Sequence, residues 1–166
     1  MQRKSFEDMQ CPIARSLERV GEWWSILILR DAFLGTTRFD EFQKNLGIAP
    51  NMLTRRLNGL VESGLLERRR YNQRPPRDEY ILTERGQDFR PVLWALLTWG
   101  NKHFAPEGLS VLLVNAETGE QADPVLIDRG TGLEMEPPAF QVVAGPAAKP
   151  RLRARYTKPA AQGAAR

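Results

Sequence analysis

Four side chains in one short stretch have the types and spacing to read nucleic-acid bases. Asn51, Thr54, Arg55 and Asn58 follow an i, i+3, i+4, i+7 series, so on a 3.6-residue helix they share one face. Arginine can donate two hydrogen bonds to the edge of guanine, asparagine can pair bidentately with adenine, and threonine can serve a phosphate or a thymine methyl. Leu53, Leu57, Leu60 and Val61 fall on the opposite side, which is the side to be buried. Arg56 lies between the two faces, within reach of either a phosphate or an acidic neighbour. Downstream, Arg74 and Arg77 flank Pro75-Pro76, a stiff tip that lowers the ordering cost of presenting two guanidiniums to a groove or a backbone. Residues 50–77 hold seven arginines and only Glu62 and Glu67 as acids, a local charge of +5 that attracts phosphates.

The elements that must position these groups are legible on either side. Pro50 suits the first helical position, where its missing N–H is no loss, and Gly64 can take the left-handed conformation that ends a helix. Leu65–Tyr71 and Asp78–Leu82 read as strands and residues 72–77 as their turn, giving a basic hairpin directly after the helix. Upstream, Ile13, Leu17 and Val20 lie at helical spacing after Pro12. Gly21 separates them from a denser apolar run, Trp23–Leu34, which reads as a central core helix. Gly35 ends that run, residues 36–39 read as a short extended piece, and Asp40–Leu46 provides a further turn or two of helix. Gly47-Ile48-Ala49 then turns the chain into Pro50, completing a helix-turn-helix pattern. Thr83 is an N-cap for a last helix running to about Phe104, with Pro91 placed to kink or restart it. That helix carries more apolar surface than a small three-helix core can cover, so Leu93, Leu96, Leu97, Gly100 and Phe104 are expected to meet a second subunit, the plain alternative being that the helix packs on the C-terminal appendage.

Composition bounds the alternatives. The chain has 166 residues, enough for one domain and an appendage, and no apolar run approaches the roughly 18–20 residues that span a bilayer. The first ten residues lack a signal-peptide core, so the expected location is cytoplasmic and the partner is not a membrane. Cys11 is the single cysteine, which excludes an intramolecular disulfide and a cysteine-cluster metal site, and no P-loop, dinucleotide fingerprint or nucleophile–base pairing is present. No catalytic residue, metal ligand or cofactor is expected, and the protein reads as a non-enzyme. Trp23, Trp24, Trp94 and Trp99 could line a small-molecule cavity, although aromatic residues on such helices are more often core.

Charge divides the chain: residues 1–104 carry +4, residues 105–145 carry −6 and residues 146–166 carry +6. The expected organisation is a winged helix-turn-helix and dimerisation domain over 1–104, a linker over 105–108, a small β-rich extension over 109–145 and a disordered basic tail over 146–166. Leu109–Val114, Pro124–Asp128 and Phe140–Val143 are the expected strands of that extension. The fold class is therefore mainly α with a small β component (α+β).

Taken in order, Cys11-Pro12, Trp24 with Leu27–Asp31, Arg38–Glu41, Met52–Leu57, Ser63–Arg68 and Pro75–Thr83 resemble the HxlR-type bacterial transcriptional regulators over about residues 9–104. The resemblance implies a winged-helix homodimer that contacts DNA through the helix starting near Pro50 and the wing around Arg74–Arg77. It also implies dimerisation through the N-terminal segment, including Cys11 and Ile13, and through the helix after Thr83. Some such proteins sense oxidants or electrophiles through a cysteine before a proline near the N-terminus, a position Cys11-Pro12 matches, whereas a small apolar interface residue is the alternative role. Double-stranded DNA with a pseudo-palindromic operator is thus the expected partner, with a small-molecule or electrophile effector and a repressor's action. The reading from another class is a winged-helix protein-interaction module whose basic wing binds an acidic partner.

Overall fold

In the computed structural model, which describes residues 5, 6 and 8–156, four helices and then a hairpin follow the expected order, and three further helices come after it. They are α1 (Pro12–Val20), α2 (Trp23–Phe33), α3 (Phe39–Leu46), α4 (Pro50–Glu62), β1 (Leu66–Gln73), β2 (Pro76–Leu82), α5 (Glu84–Gln87), α6 (Arg90–His103) and α7 (Pro150–Tyr156). No helix among the described residues is long and apolar enough to cross a membrane. The chain divides into two compact units, one of residues 19–124 and one of residues 1–18 together with 125–166.

The first unit has one apolar core. Ile28 and Leu29 of α2, Phe42 of α3, Ile48 of the turn, and Leu53, Leu57 and Leu60 of α4 pack with Leu65, Leu66 and Tyr80 at the root of the hairpin. Leu53, Leu57 and Leu60 are completely buried, as their shared helix face requires. Gly47 adopts a left-handed conformation (φ 61°) at the end of α3, which turns the chain sharply, and Ile48 pins that turn into the core. β1 and β2 are antiparallel with Leu66 opposite Leu82, Arg68 opposite Tyr80 and Arg70 opposite Asp78, and the register slips between Arg70 and Asn72. The extended piece before α3 joins them: Tyr80 N–H donates to Thr37 O at 2.8 Å, and Arg38 bridges to Glu79.

Thr83 ties the exit of α4 to the exit of the hairpin. Its hydroxyl donates to Gly64 O at 2.6 Å and accepts from Gly86 N–H at 3.1 Å, capping α5. Replacing Thr83 by Ala removes both contacts and is expected to cost about 1–2 kcal/mol, measured as a lower urea midpoint with an unchanged slope. The last helix is broken rather than continuous, because α5 ends at Gln87 and α6 restarts with Pro91 in its first turn. Proline lacks the N–H that an unbroken helix would need there.

Two expectations for the C-terminal part change. Residues 109–145 form no sheet: within the first unit Val114 bridges Gln121, within the second Ile127 bridges Glu134, and Phe140–Val143 is irregular. Side chains divert the backbone donors that a ladder would use. Asn115 Oδ1 accepts from Glu117 and Thr118 N–H at 2.8 and 3.2 Å, and Asp128 Oδ2 accepts from Thr131 N–H at 2.9 Å. The basic tail is helical over α7, where Pro150 takes the start and arginine, leucine and alanine are good helix formers. The rest of the tail, from residue 157, lies outside the described residues.

Candidate nucleic-acid interface

The N-cap residue of α4 is Ala49, which offers no capping side chain, and the helix has no acid in its first turn. The positive end of the helix dipole therefore meets no carboxylate of its own, a setting that favours a phosphate. Asn51, Thr54, Arg55 and Asn58 are all exposed on the outer face, opposite the buried leucines. The Thr54 hydroxyl donates to Pro50 O at 2.9 Å, so its proton is used within the helix and its methyl and lone pairs face outward.

Arg56 departs from the expected contact surface. Its guanidinium pairs with Glu22 at 2.9 Å, its side chain is only 14% exposed, and its Nε is buried without a partner. Glu22 is the N-cap residue of α2, so the pair fixes α4 against the start of α2. Residues 34 positions apart give no local sequence signal of such a contact.

The hairpin resolves its positive charge in the same way. Arg70 pairs with Asp78 across the strands at 2.7 Å, Arg68 approaches the same carboxylate at 3.9 Å, and Arg69 lies 3.7 Å from Glu67. The hydrogen bond from Arg70 holds the Asp78 carboxyl below its usual range, and Asp78 in turn raises Arg70. Because the carboxyl is held down, the pair's contribution is present above the ordinary aspartate range and is lost only as pH falls through the lowered value. Arg74 and Arg77 are exposed at the tip and form no ion pair among the described residues, and the same is true of Arg55. Of the seven arginines in residues 50–77, these three are left without an acidic partner. Asp78→Asn removes the counter-charge from Arg70 and Arg68. The expected result is tighter binding to any duplex, with the slope of log affinity against log salt steeper by about one.

The expected dimer residues divide between the two units. Cys11 is half-buried immediately before α1, and Ile13 is exposed on α1. On α6, Leu96 is exposed, Leu97 and Gly100 are half-buried, and Leu93 packs partly against the core of its own unit, while Phe104 is exposed just after the helix. No α6 residue is fully buried. The tryptophans do not gather around a cavity: Trp23 is 74% and Trp99 56% exposed, and Trp99 stacks edge-on with Phe104 at 4.9 Å.

A short helix, a glycine-containing turn, a second helix with an exposed polar face and a basic antiparallel hairpin define a winged helix-turn-helix DNA-binding protein. Residues 19–108 match the model of the HxlR-like helix-turn-helix family. The chain belongs to that family, and it is a DNA-binding transcriptional regulator. It is 42% identical over 141 residues to an HTH-type transcriptional regulator of Mycobacterium tuberculosis, covering 84% of this chain and 89% of that relative. A solved structure of a candidate transcription factor from Pseudomonas aeruginosa is 55% identical with a TM-score of 0.64, covering 87% of this chain and 99% of that one. The redox regulator HypR in its reduced form is 32% identical with a TM-score of 0.52, covering 55% of this chain and 92% of HypR.

Proposed function

We propose that the protein is a homodimeric repressor in which Asn51, Arg55 and Asn58 read base edges while Arg74 and Arg77 hold phosphates. The observation that carries the reading is the division among the arginines. Arg56, Arg68, Arg69 and Arg70 are committed to acids of the protein, and Arg55, Arg74 and Arg77 stand free on one helix and one hairpin tip. Thr54 contributes its methyl, since its proton is already used. Two copies related by a two-fold axis would place their α4 helices in successive major grooves about 34 Å apart, on a pseudo-palindromic site. The α6 surface supports the dimer: Val92, Trp94, Leu96 and Trp99 are exposed on a helix without one fully buried residue, and Phe104 is exposed just after its end.

Control is assigned to a small-molecule effector or to thiol modification at Cys11. The half-buried Cys11 immediately precedes α1, and the similarity to the redox regulator HypR supports the thiol reading. Alkylating Cys11 to completion and titrating the product against the upstream duplex tests this control. A weakened complex is expected, with Cys11→Ser insensitive to the reagent, whereas full alkylation with unchanged affinity ends the thiol reading. A reporter driven by the same upstream DNA should rise when the chain is deleted, and a fall would make the protein an activator.

A further inference from the structure

Among its described residues, the second unit has no buried core. None of its described residues is buried, and Leu126, Ile127, Leu133, Met135, Val142 and Val143 are exposed. It is nevertheless locally ordered. Asp128 N–H donates to Leu133 O at 2.9 Å and Met135 N–H to Leu126 O at 2.8 Å, and Asp128 closes the turn between them through Thr131. Hydrogen bonds exposed to water do not by themselves offset the entropy of ordering such a segment. Burial of its apolar side chains would.

We propose that residues 125–143 form a second interface of the homodimer, docking on α6 of a second copy; the inference rests on the dimer reading above. Three observations select that occupant. First, α6 also leaves apolar side chains uncovered, with Val92, Trp94, Leu96 and Trp99 exposed on it and Phe104 just after its end. A two-fold axis that places one copy's segment on the partner's α6 places the partner's segment on its own α6, so both surfaces are covered twice by one operation. Second, the charges are complementary. α6 carries Arg90 and Lys102 and no acid, whereas residues 125–145 carry Asp128, Glu134 and Glu136 against Arg129. Third, the second unit is tied to the arm that leads to Cys11. The Gln10 side-chain N–H donates to Ala147 O at 3.3 Å, and Lys149 N–H donates to Gln10 Oε1 at 2.8 Å. The same unit thus holds the arm assigned to the dimer and the segment proposed to extend that interface. Such an interface belongs to long members: the Mycobacterium tuberculosis relative aligns over 84% of this chain and HypR over 55%.

Sedimentation velocity and hydrogen exchange on the full chain test the proposal. Leu126→Glu and Val142→Glu each place a charge on the docked face at positions exposed in the single chain, so the fold of either unit is not at risk. Each is expected to raise the dimer dissociation constant at least about tenfold. In wild type, the amides of Asp128 and Met135 are expected to exchange slowly in the dimer and at least about tenfold faster after dilution or in monomeric Trp94→Glu. If Trp94→Glu dissociates the dimer while both segment variants leave it intact, the second interface is wrong and the dimer reading stands. Equal exchange in dimer and monomer also overturns the inference. A wild-type chain that is monomeric at every concentration removes both.

Discussion

Arg55→Ala is expected to lower affinity for the operator by about 1–3 kcal/mol and to relax discrimination at one base pair per half-site. Arg55 stands on the outer face of α4 without an acidic partner, so no contact within the protein has to be broken for it to enter a groove. Its loss removes a bidentate donor without disturbing the buried leucines behind it. Arg77→Ala provides the contrast. From the tip of the hairpin it should weaken binding to all sequences alike and make the salt slope shallower by about one. Titration of both variants against duplexes carrying single base changes separates the two roles. A uniform loss in both would assign Arg55 to phosphate.

Leu57→Ala carries the largest expected effect on stability, about 2–5 kcal/mol, through lost burial and the cavity left behind. Leu57 is completely buried on the inner face of α4, among side chains from α2, α3 and the root of the hairpin. Against a total of roughly 5–15 kcal/mol for a domain, such a loss leaves a substantial unfolded population on modest warming. Urea unfolding measures it directly. The folded fraction of Leu57→Ala should retain the wild-type order of preference among duplexes, because the outer face is unchanged. Conversely, Arg55→Ala should keep the wild-type urea midpoint. The pair of variants therefore dissociates holding the helix from using it.

The helix-turn-helix and the hairpin were readable because their signals are local. The four- and three-residue spacing of Leu53, Leu57 and Leu60, the proline at the start of α4 and the left-handed Gly64 after its end all act within one element. Thr83 was readable for the same reason, since a cap needs only the following turn. Arg56 was not fully readable, because its partner Glu22 is brought close only by the packing of α2 on α4. Likewise, the charge of residues 50–77 counted guanidiniums without showing that Asp78 and Glu67 would claim three of them. The extension misled for a different reason. Its Leu- and Val-rich runs have strand composition, but Asn115 and Asp128 capture the backbone of the intervening turns, and each pairing stops at one bridge. α7 shows the converse, a helix in a stretch with little to bury, made of good helix formers and met at its start by Gln10 Oε1, which accepts from Lys149 N–H.

The most direct test of the central claim is a titration of the full chain against its own upstream duplex and a shuffled duplex of equal length and composition, at two salt concentrations. The winged-helix account predicts preference for the upstream sequence by at least about a thousandfold, with affinity for both duplexes falling steeply as salt rises. Equal affinity for the two duplexes would contradict it and favour a basic wing that binds acidic partners without reading sequence.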